Sequence, residues 1–135
     1  MASIATIRDG LKTRLATIAG LYTHDTIPDD IYPPAAIVGA PTRIAYDMAF
    51  RSPVSRITIP VRVIAGRATE RESQDKLDGY ISADGASSVR AAIDGDPTLG
   101  GAAHSTRVVE ARGYGAYEVG AVQYLGVELE IEVIA

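Results

Sequence analysis

The N-terminal segment has the apolar spacing of an amphipathic helix. Apolar residues recur there in steps of three and four: Ile4, Ile7, Leu11, Leu15 and Ile18. Ser3 stands where an N-terminal cap belongs, and Gly20 stands where a C-terminal cap belongs. This pattern predicts a helix that begins after Ser3 and packs one face against a core.

Two later segments alternate apolar and polar residues, which is the period of a half-buried strand. Apolar side chains occupy the odd positions of residues 56–65 and the odd positions of residues 122–134 from Leu125 onward. Pro60 has no N–H group to donate, so the first strand is expected at a sheet edge or with a local bulge. The second would measure about 43 Å at about 3.3 Å per residue, so we expect it to bend at Gly126 or to reach the rim of the domain.

Shorter elements are predicted before the first long strand. Short strands are expected at 21–25 and, after Pro33-Pro34, at 35–38. Residues 41–54 are interpreted as the start of a strand followed by a long connection that exposes Tyr46, Met48 and Phe50.

Helices are predicted in the central part of the chain. Thr69 and Glu72 have the spacing of a capping box, which predicts a helix over 69–81 that buries Leu77, Tyr80 and Ile81. A short helix near 87–93, a strand at 106–111 and a turn at 113–115 follow. Together the elements predict a single α+β domain over residues 1–135. Its mixed or antiparallel sheet of about four to six strands would be packed by the N-terminal amphipathic helix and one or two central helices.

The composition excludes several classes of protein. The chain has 135 residues, a mass of 14.2 kDa and 47% hydrophobic residues, which suits one soluble domain with its own core. It contains no cysteine, so thiolate metal sites, cysteine catalysis and disulfides are excluded. The net charge is −4 and the basic residues are dispersed, unlike the basic face of a protein that binds DNA phosphates.

The sequence shows no membrane span and no secretory signal. Its apolar runs are short, and its N-terminus lacks the basic-then-apolar order of a signal peptide. We expect the protein to work where it is made or where it is assembled.

The sequence offers no motif for catalysis, a cofactor or a metal. His24 and His104 are its two histidines, and no serine lies in a Gly-x-Ser-x-Gly elbow. Residues 94–96 (Asp-Gly-Asp) resemble the start of a calcium loop, but Leu99 and Ser105 occupy the positions that need glycine and glutamate. Gly-rich dinucleotide and phosphate loops are also missing. We therefore predict no catalytic residue, no cofactor and no metal site.

A row of glutamates suggests a surface. Glu128, Glu130 and Glu132 share one parity of the C-terminal strand. They form either a solvated face paired across strands with Arg56 and Arg62, or an acidic surface that repels another polyanion.

A second group of candidate surface residues lies in one short segment: Tyr46, Met48, Phe50 and Arg51. These residue types are enriched at protein interfaces. A loop packed back onto its own core explains them equally well, so both interpretations stay open.

The order of these elements resembles that of the small tail-terminator (tail-completion) proteins of bacteriophages with long, non-contractile tails. Two shared features lie in the N-terminal half: the amphipathic helix that ends at Gly20, and the proline-rich entry to a short buried strand, Tyr32-Pro-Pro-Ala-Ala-Ile-Val. The others are the alternating strand at 55–64, the capped helix at 69–81 and the closing strand at 122–134. The alanine richness and the 11 arginines against 2 lysines also look like a phage of a high-GC host.

The resemblance implies an α+β subunit that forms a ring, typically a hexamer, which caps the tail tube and offers a surface to the head connector. The implied partners are copies of itself, the major tail tube protein and the head connector or closure protein, with no membrane. DNA would pass through the lumen without specific binding. The implied location is the head-proximal end of the virion tail, after assembly in the host cytoplasm. Six subunits at −4 would carry about −24 charges, which would keep the lumen from holding DNA.

Two sets of residues are assigned within this resemblance. We expect the lumen to be lined by acidic residues: Asp94, Asp96, Glu128, Glu130 and Glu132. We expect subunit or tail-tube contacts from the strand that contains Pro60 and from one short segment: Tyr46, Met48, Phe50 and Arg51. One alternative is a head-closure or connector-adaptor protein of the same kind of virion. A more distant one is a small-molecule-binding or hydrolytic domain that uses His104 and the 94–96 loop.

Overall fold

A computed structural model describes residues 3–24, 32–46, 54–119 and 121–135. Within these ranges the helices are α1 (Ile4–Leu15), α2 (Arg71–Ile81) and α3 (Val89–Asp94), with a 3₁₀ turn at Leu99–Gly101. The strands are β1 (Tyr22–His24), β2 (Ala35–Val38), β3 (Arg43–Ala45), β4 (Arg56–Arg67), β5 (Ser105–Val119) and β6 (Val122–Ile134). No helix in these ranges is long and apolar enough to cross a membrane.

The strands form one mixed sheet in the order β1-β2-β4-β6-β5, and β3 pairs with β4 on the same edge as β2. The β1–β2 pair is parallel and the other pairs are antiparallel. This architecture confirms the predicted α+β class and the mixed sheet of four to six strands packed by helices.

The core lies between one face of the sheet and the helices. The central strands β4 and β6 supply alternate residues to it: Ile57, Ile59, Val61, Val63, Val127, Leu129, Ile131 and Val133. The helices supply the opposing layer, including Ile7, Leu11, Leu15, Leu77, Val89 and Ile93. All of these side chains are at most 3% exposed, as the alternating and helical patterns predict.

Helix α1 is confirmed, with an earlier end. Its cap is Ser3, whose hydroxyl accepts a hydrogen bond from the Thr6 N–H at 3.1 Å. The helix ends at Leu15 rather than at Gly20. Gly20 instead has a φ of +79° in the turn that enters β1, a left-handed conformation that favours glycine.

The capping box predicted at Thr69 is wrong. Glu70 is the N-cap residue of α2, and its side chain makes no capping hydrogen bond. Helix α2 therefore derives its stability from packing, since Leu77 and Tyr80 are buried and Ile81 is partly buried. The short helix α3 does have a side-chain cap, because the Ser88 hydroxyl accepts from the Ala91 N–H at 3.1 Å.

Pro60 lies in a central strand, which corrects the prediction of an edge strand; β4 does contain an irregularity, but between Ile64 and Gly66 rather than at Pro60. Its carbonyl accepts a hydrogen bond from the Gly39 N–H at 2.8 Å. The N and O atoms of one antiparallel strand residue point to the same side, so the missing N–H faces the 39–42 connection between β2 and β3. No ladder bond to β6 is lost, and the proline stays in register with Glu130.

The turn predicted at 113–115 is also wrong, because β5 continues through it to Val119. Register shifts between Val108 and Glu110 and between Arg112 and Gly115 mark two irregularities in the strand. At the second, Gly113 has a φ of +69° and the Tyr114 hydroxyl donates to Asp78 of α2 at 2.9 Å. The glycines therefore mark a bulge rather than a reversal of the chain.

Gly126 of β6 lies beside a register shift in β4. The shift falls between Ile64 and Gly66, which pair with Gly126 and Leu125. A Cβ atom at Gly126 would lie 2.9 Å from the Val63 carbonyl oxygen, so this position requires glycine.

Candidate assembly surface

The helices cover one face of the sheet. The opposite face, which we call the open face, carries charged side chains on β4, β5 and β6, whereas on β2 and the end of β4 it carries buried apolar residues: Ala35, Ile37 and Ile64. The predicted row of Glu128, Glu130 and Glu132 lies there, since their neighbours on β6 point into the core. The three glutamates are partly buried between the flanking strands β4 and β5.

Glu132 lies between two arginines. Its Oε1 atom is 3.6 Å from Nε of Arg56 on β4 and 3.4 Å from Nε of Arg107 on β5. The glutamate side chain is 16% exposed, whereas the arginines are 52% and 66% exposed. The carboxylate therefore lies between two solvent-exposed guanidinium groups.

Glu128, four residues before Glu132 on β6, also lies between two arginines. It lies 3.8 Å from Arg62 of β4 and 3.4 Å from Arg112 of β5. Arg112 also lies 3.5 Å from Glu110, and the Arg62 guanidinium stacks 4.7 Å from the centre of the Tyr117 ring. We call this set of pairs around Glu128 and Glu132 the ion-pair ladder.

Glu130 lies between Glu128 and Glu132 on β6 and has no ion pair among the described residues. Its partners in register are Pro60 on β4 and Glu110 on β5. Like charges directly opposite each other on neighbouring strands are destabilising. A shallow cavity of about 200 Å³ opens beside it, lined by Arg43 and Val109 among others.

The ion-pair ladder and its middle level are balanced in charge. Four glutamates and four arginines make up the ladder and its middle level: Glu110, Glu128, Glu130, Glu132, Arg56, Arg62, Arg107 and Arg112. The net charge of −4 is therefore carried by the rest of the chain. The predicted pairing of the row with Arg56 and Arg62 is confirmed, while its place in a lumen stays a prediction.

Sequence reasoning missed the arginines of β5. Arg107 and Arg112 face the row only because the irregularity at Val109 restores their parity after an extra residue. Arginine and glutamate alternate near residue 110 in the sequence. This pattern indicates ion pairs with the glutamate row only once the register of β5 on β6 is known.

Asp94 and Asp96 lie on the helix side of the sheet, so the structure does not bring them together with the glutamate row. Asp94 follows the core residues of α3 and pairs with Arg90 at 3.9 Å. Asp96 accepts hydrogen bonds from the Thr98 hydroxyl at 2.6 Å and the Gly100 N–H at 3.0 Å. These two bonds, the first above all, lower the pKa of the Asp96 carboxyl, and they stabilise a turn.

The two histidines lie at opposite edges of the sheet. His24 ends β1, the first strand in the spatial order, and exposed His104 precedes β5, the last. The described residues contain no group of three or more histidine, aspartate or glutamate side chains placed to hold a metal ion.

The predicted interface residues are only partly visible. Tyr46 follows β3 and is 69% exposed. Met48, Phe50 and Arg51 lie outside the described residues, so their predicted role is neither confirmed nor corrected. Pro60 is partly exposed on the open face, next to Glu130.

A second surface feature accompanies the long strand β5. Among the described strands, β5 pairs only with β6, so its other side forms an edge of the sheet. A groove of about 320 Å³ runs along its helix side, between β5 and the ends of α2 and α3. Its lining combines apolar and charged residues, and we call it the β5 groove: Tyr80, Ile81, Ala83, Arg90, Val108, Val109, Glu110, Ala111 and Leu129.

No protein-family model matches the chain. The search of curated proteins found no significant match.

Proposed function

We propose that this chain is a structural subunit of the tail-terminator type, which assembles into a ring on the tail tube and joins it to the head connector. One observation carries the proposal: the helices of the described residues pack on one face of the sheet, which leaves the ion-pair ladder on the other face and the long edge strand β5 as separate surfaces. A closed ring needs two different patches on each subunit. The fold offers such patches at distinct places.

The order of elements supports the same proposal. The amphipathic α1, the buried β2 after two prolines, the long β4, the helix α2 and the closing β6 follow one another as in the resemblance. Two details differ from the features on which the resemblance was stated: α1 ends at Leu15 rather than at Gly20, and α2 has no side-chain cap.

The ion-pair ladder bears on DNA passage. A lumen that DNA traverses must not offer free cations to phosphates. Each of the four arginines of the ladder lies within 4.0 Å of a carboxylate, which competes with phosphate for it. In a ring of such subunits the arginines of the ladder would be paired, whereas Arg43 on the same face has no ion pair among the described residues.

Light scattering and co-sedimentation test the proposal. We expect the full chain to form a ring-sized oligomer, alone or on contact with tail tubes, and to sediment with tubes. Binding to tail-less capsids instead of tubes would favour the head-closure or connector-adaptor function. A stable monomer that binds neither would contradict both.

A further inference from the structure

Four aspartates of the chain are each followed directly by a glycine: Asp9, Asp78, Asp84 and Asp94. Glycine has no Cβ atom to shield its nitrogen, so the carboxyl group of the preceding aspartate can react with that nitrogen. The fold surrounds the four pairs differently, and this difference decides where the reaction can occur.

The reaction closes and reopens a succinimide ring and needs no reactant other than water. The glycine nitrogen bonds to Cγ of the aspartate, and the carboxyl hydroxyl group leaves with the amide proton as water. Water then adds to the ring and breaks a C–N bond. Breaking the bond at Cγ restores aspartate. Breaking the bond at the main-chain carbonyl carbon gives isoaspartate, whose main chain runs through Cβ and Cγ.

Three of the four pairs are held by helices. Gly10 lies within α1 and Gly79 lies within α2, where a backbone N–H is hydrogen-bonded to the carbonyl group four residues earlier. At the end of α3, the Gly95 N–H donates to the Ala91 carbonyl at 3.0 Å. A nitrogen held in this way reacts only when the helix opens locally.

Two of these three carboxyl groups also have partners. The Tyr114 hydroxyl donates to the Asp78 carboxylate at 2.9 Å. The Asp94 carboxylate lies 3.9 Å from Nε of Arg90. Each carboxyl group must give up this contact before it can bond to the glycine nitrogen, which adds to the protection by the helix.

The remaining pair, Asp84 and Gly85, lies in the turn at 82–88 that joins α2 to α3. Both residues are exposed. Within the described part of the chain, the Gly85 N–H makes no backbone hydrogen bond and the Asp84 carboxylate makes no ion pair. A Cβ atom on Gly85 would meet no atom within 4 Å, so the space beside this residue is open.

We propose that Asp84 is the site at which this chain is modified to isoaspartate, by reaction of its carboxyl group with the Gly85 nitrogen. The helices protect the pairs at Asp9, Asp78 and Asp94. This modification site goes beyond the proposed function and does not depend on ring assembly.

The product changes the connection between α2 and α3, because isoaspartate adds one carbon atom to the main chain of the turn. Ser88 ends the turn and caps α3 through its hydroxyl group, which also donates to the Ser82 carbonyl. The Ser88 N–H donates to the Gly85 carbonyl at 3.2 Å. A longer main chain between Ser82 and Ser88 displaces these partners, so the site lies where modification alters the cap of α3.

Peptide mapping of the full-length protein after storage at neutral pH tests the proposal. Mass spectrometry with electron-transfer fragmentation identifies isoaspartate separately at each of the four positions. Isoaspartate at Asp84 should exceed that at each other position about tenfold or more, because a local opening that costs about 1.4 kcal/mol lowers the reactive population tenfold. In the chain unfolded in urea the four positions should react at similar rates, since the fold no longer distinguishes them.

Matched variants separate the chemistry from the fold. Asp84→Glu needs a larger ring, so it should lose the signal at this position while circular dichroism stays unchanged. Asp84→Asn reacts through the same ring with loss of ammonia, and the mass of the intact protein reports its conversion to the acid. This conversion should be faster in folded Asp84→Asn than in folded Asp78→Asn.

Two results would overturn the proposal. The first is isoaspartate in the folded protein that is spread equally over the four positions or is greater at Asp9, Asp78 or Asp94 than at Asp84. The second is the absence of isoaspartate at Asp84 in the folded protein after a time in which the unfolded chain forms it there.

Discussion

Replacing Glu132 by glutamine should measurably destabilise the fold, whereas the same change at Glu130 should not. Glu132→Gln removes the charge between Arg56 and Arg107, at 3.6 and 3.4 Å. Glu130→Gln removes a charge that faces Glu110 across the β5–β6 pair and has no ion pair in the described part of the chain. The two variants make the same chemical change on the same strand and differ in what surrounds it.

The size of the effect follows from exposure. An exposed ion pair contributes about 0.2–1 kcal/mol, and both arginines here are more than half exposed. Solvent screening places the sum of the two pairs at about 0.5–1 kcal/mol. At about 2.1 cal/mol/K per residue, a chain of 135 residues has an unfolding entropy near 0.28 kcal/mol/K. Glu132→Gln should therefore lower Tm by about 2–4 °C, and Glu130→Gln should leave it unchanged or raise it slightly.

Thermal unfolding followed by circular dichroism measures both variants at one protein concentration, because assembly would make Tm concentration-dependent. The difference between them should shrink when salt rises from about 0.01 M to about 1 M, where the Debye length falls to about 3 Å. Equal Tm values at low salt, or a difference that salt does not change, would refute the ion-pair ladder as the reason for the arrangement of the glutamate row.

Three further predictions test other parts of the structure. Gly126→Ala should lower the free energy of unfolding by about 1–3 kcal/mol, because its methyl group would lie 2.9 Å from a carbonyl oxygen. Gly79→Ala, with its nearest contact at 3.6 Å in helix α2, should raise it by about 0.5–1 kcal/mol; urea unfolding compares the two. The lowered pKa of Asp96 contributes stability that is present above the ordinary value of 3.8 and is lost as pH falls through the folded value. In acid unfolding, the stability of Asp96→Ala should therefore depend less on pH than that of the unchanged protein. Met48→Ala/Phe50→Ala should weaken oligomerisation in light scattering and preserve circular dichroism; an unfolded double mutant would place these residues in the core.

The parts of the fold that depend on local pattern could be predicted from the sequence. Helix α1 and the long strands β4 and β6 each have a strong apolar period, and their buried positions match it. The short β2 was also predictable, since an apolar run after two prolines suits a strand start.

Features that depend on distant residues could not be predicted in this way. Pro60 suggested an edge strand because it has no N–H group. The sequence does not reveal that β2 and β3 pair with different parts of the same side of β4 and leave Pro60 between them. Gly113 suggested a turn because a positive φ serves a bulge as well as a reversal. The capping box failed because Glu70, one residue after Thr69, is the cap.

Only part of the candidate surface could be predicted from the sequence. The glutamate row and its pairing with Arg56 and Arg62 followed from parity on adjacent strands. The arginines of β5 and the β5 groove required the register of β5 and the position of α2 against it. Asp94 and Asp96 belong to the helix side, which their sequence did not indicate.

The central claim is that this chain caps tail tubes as a ring, and electron microscopy of tail tubes incubated with the full chain tests it most directly. The account predicts ring-shaped density of uniform diameter at one end of the tubes, and tubes that no longer elongate. Tubes that keep bare ends and continue to grow in the presence of excess protein would contradict it.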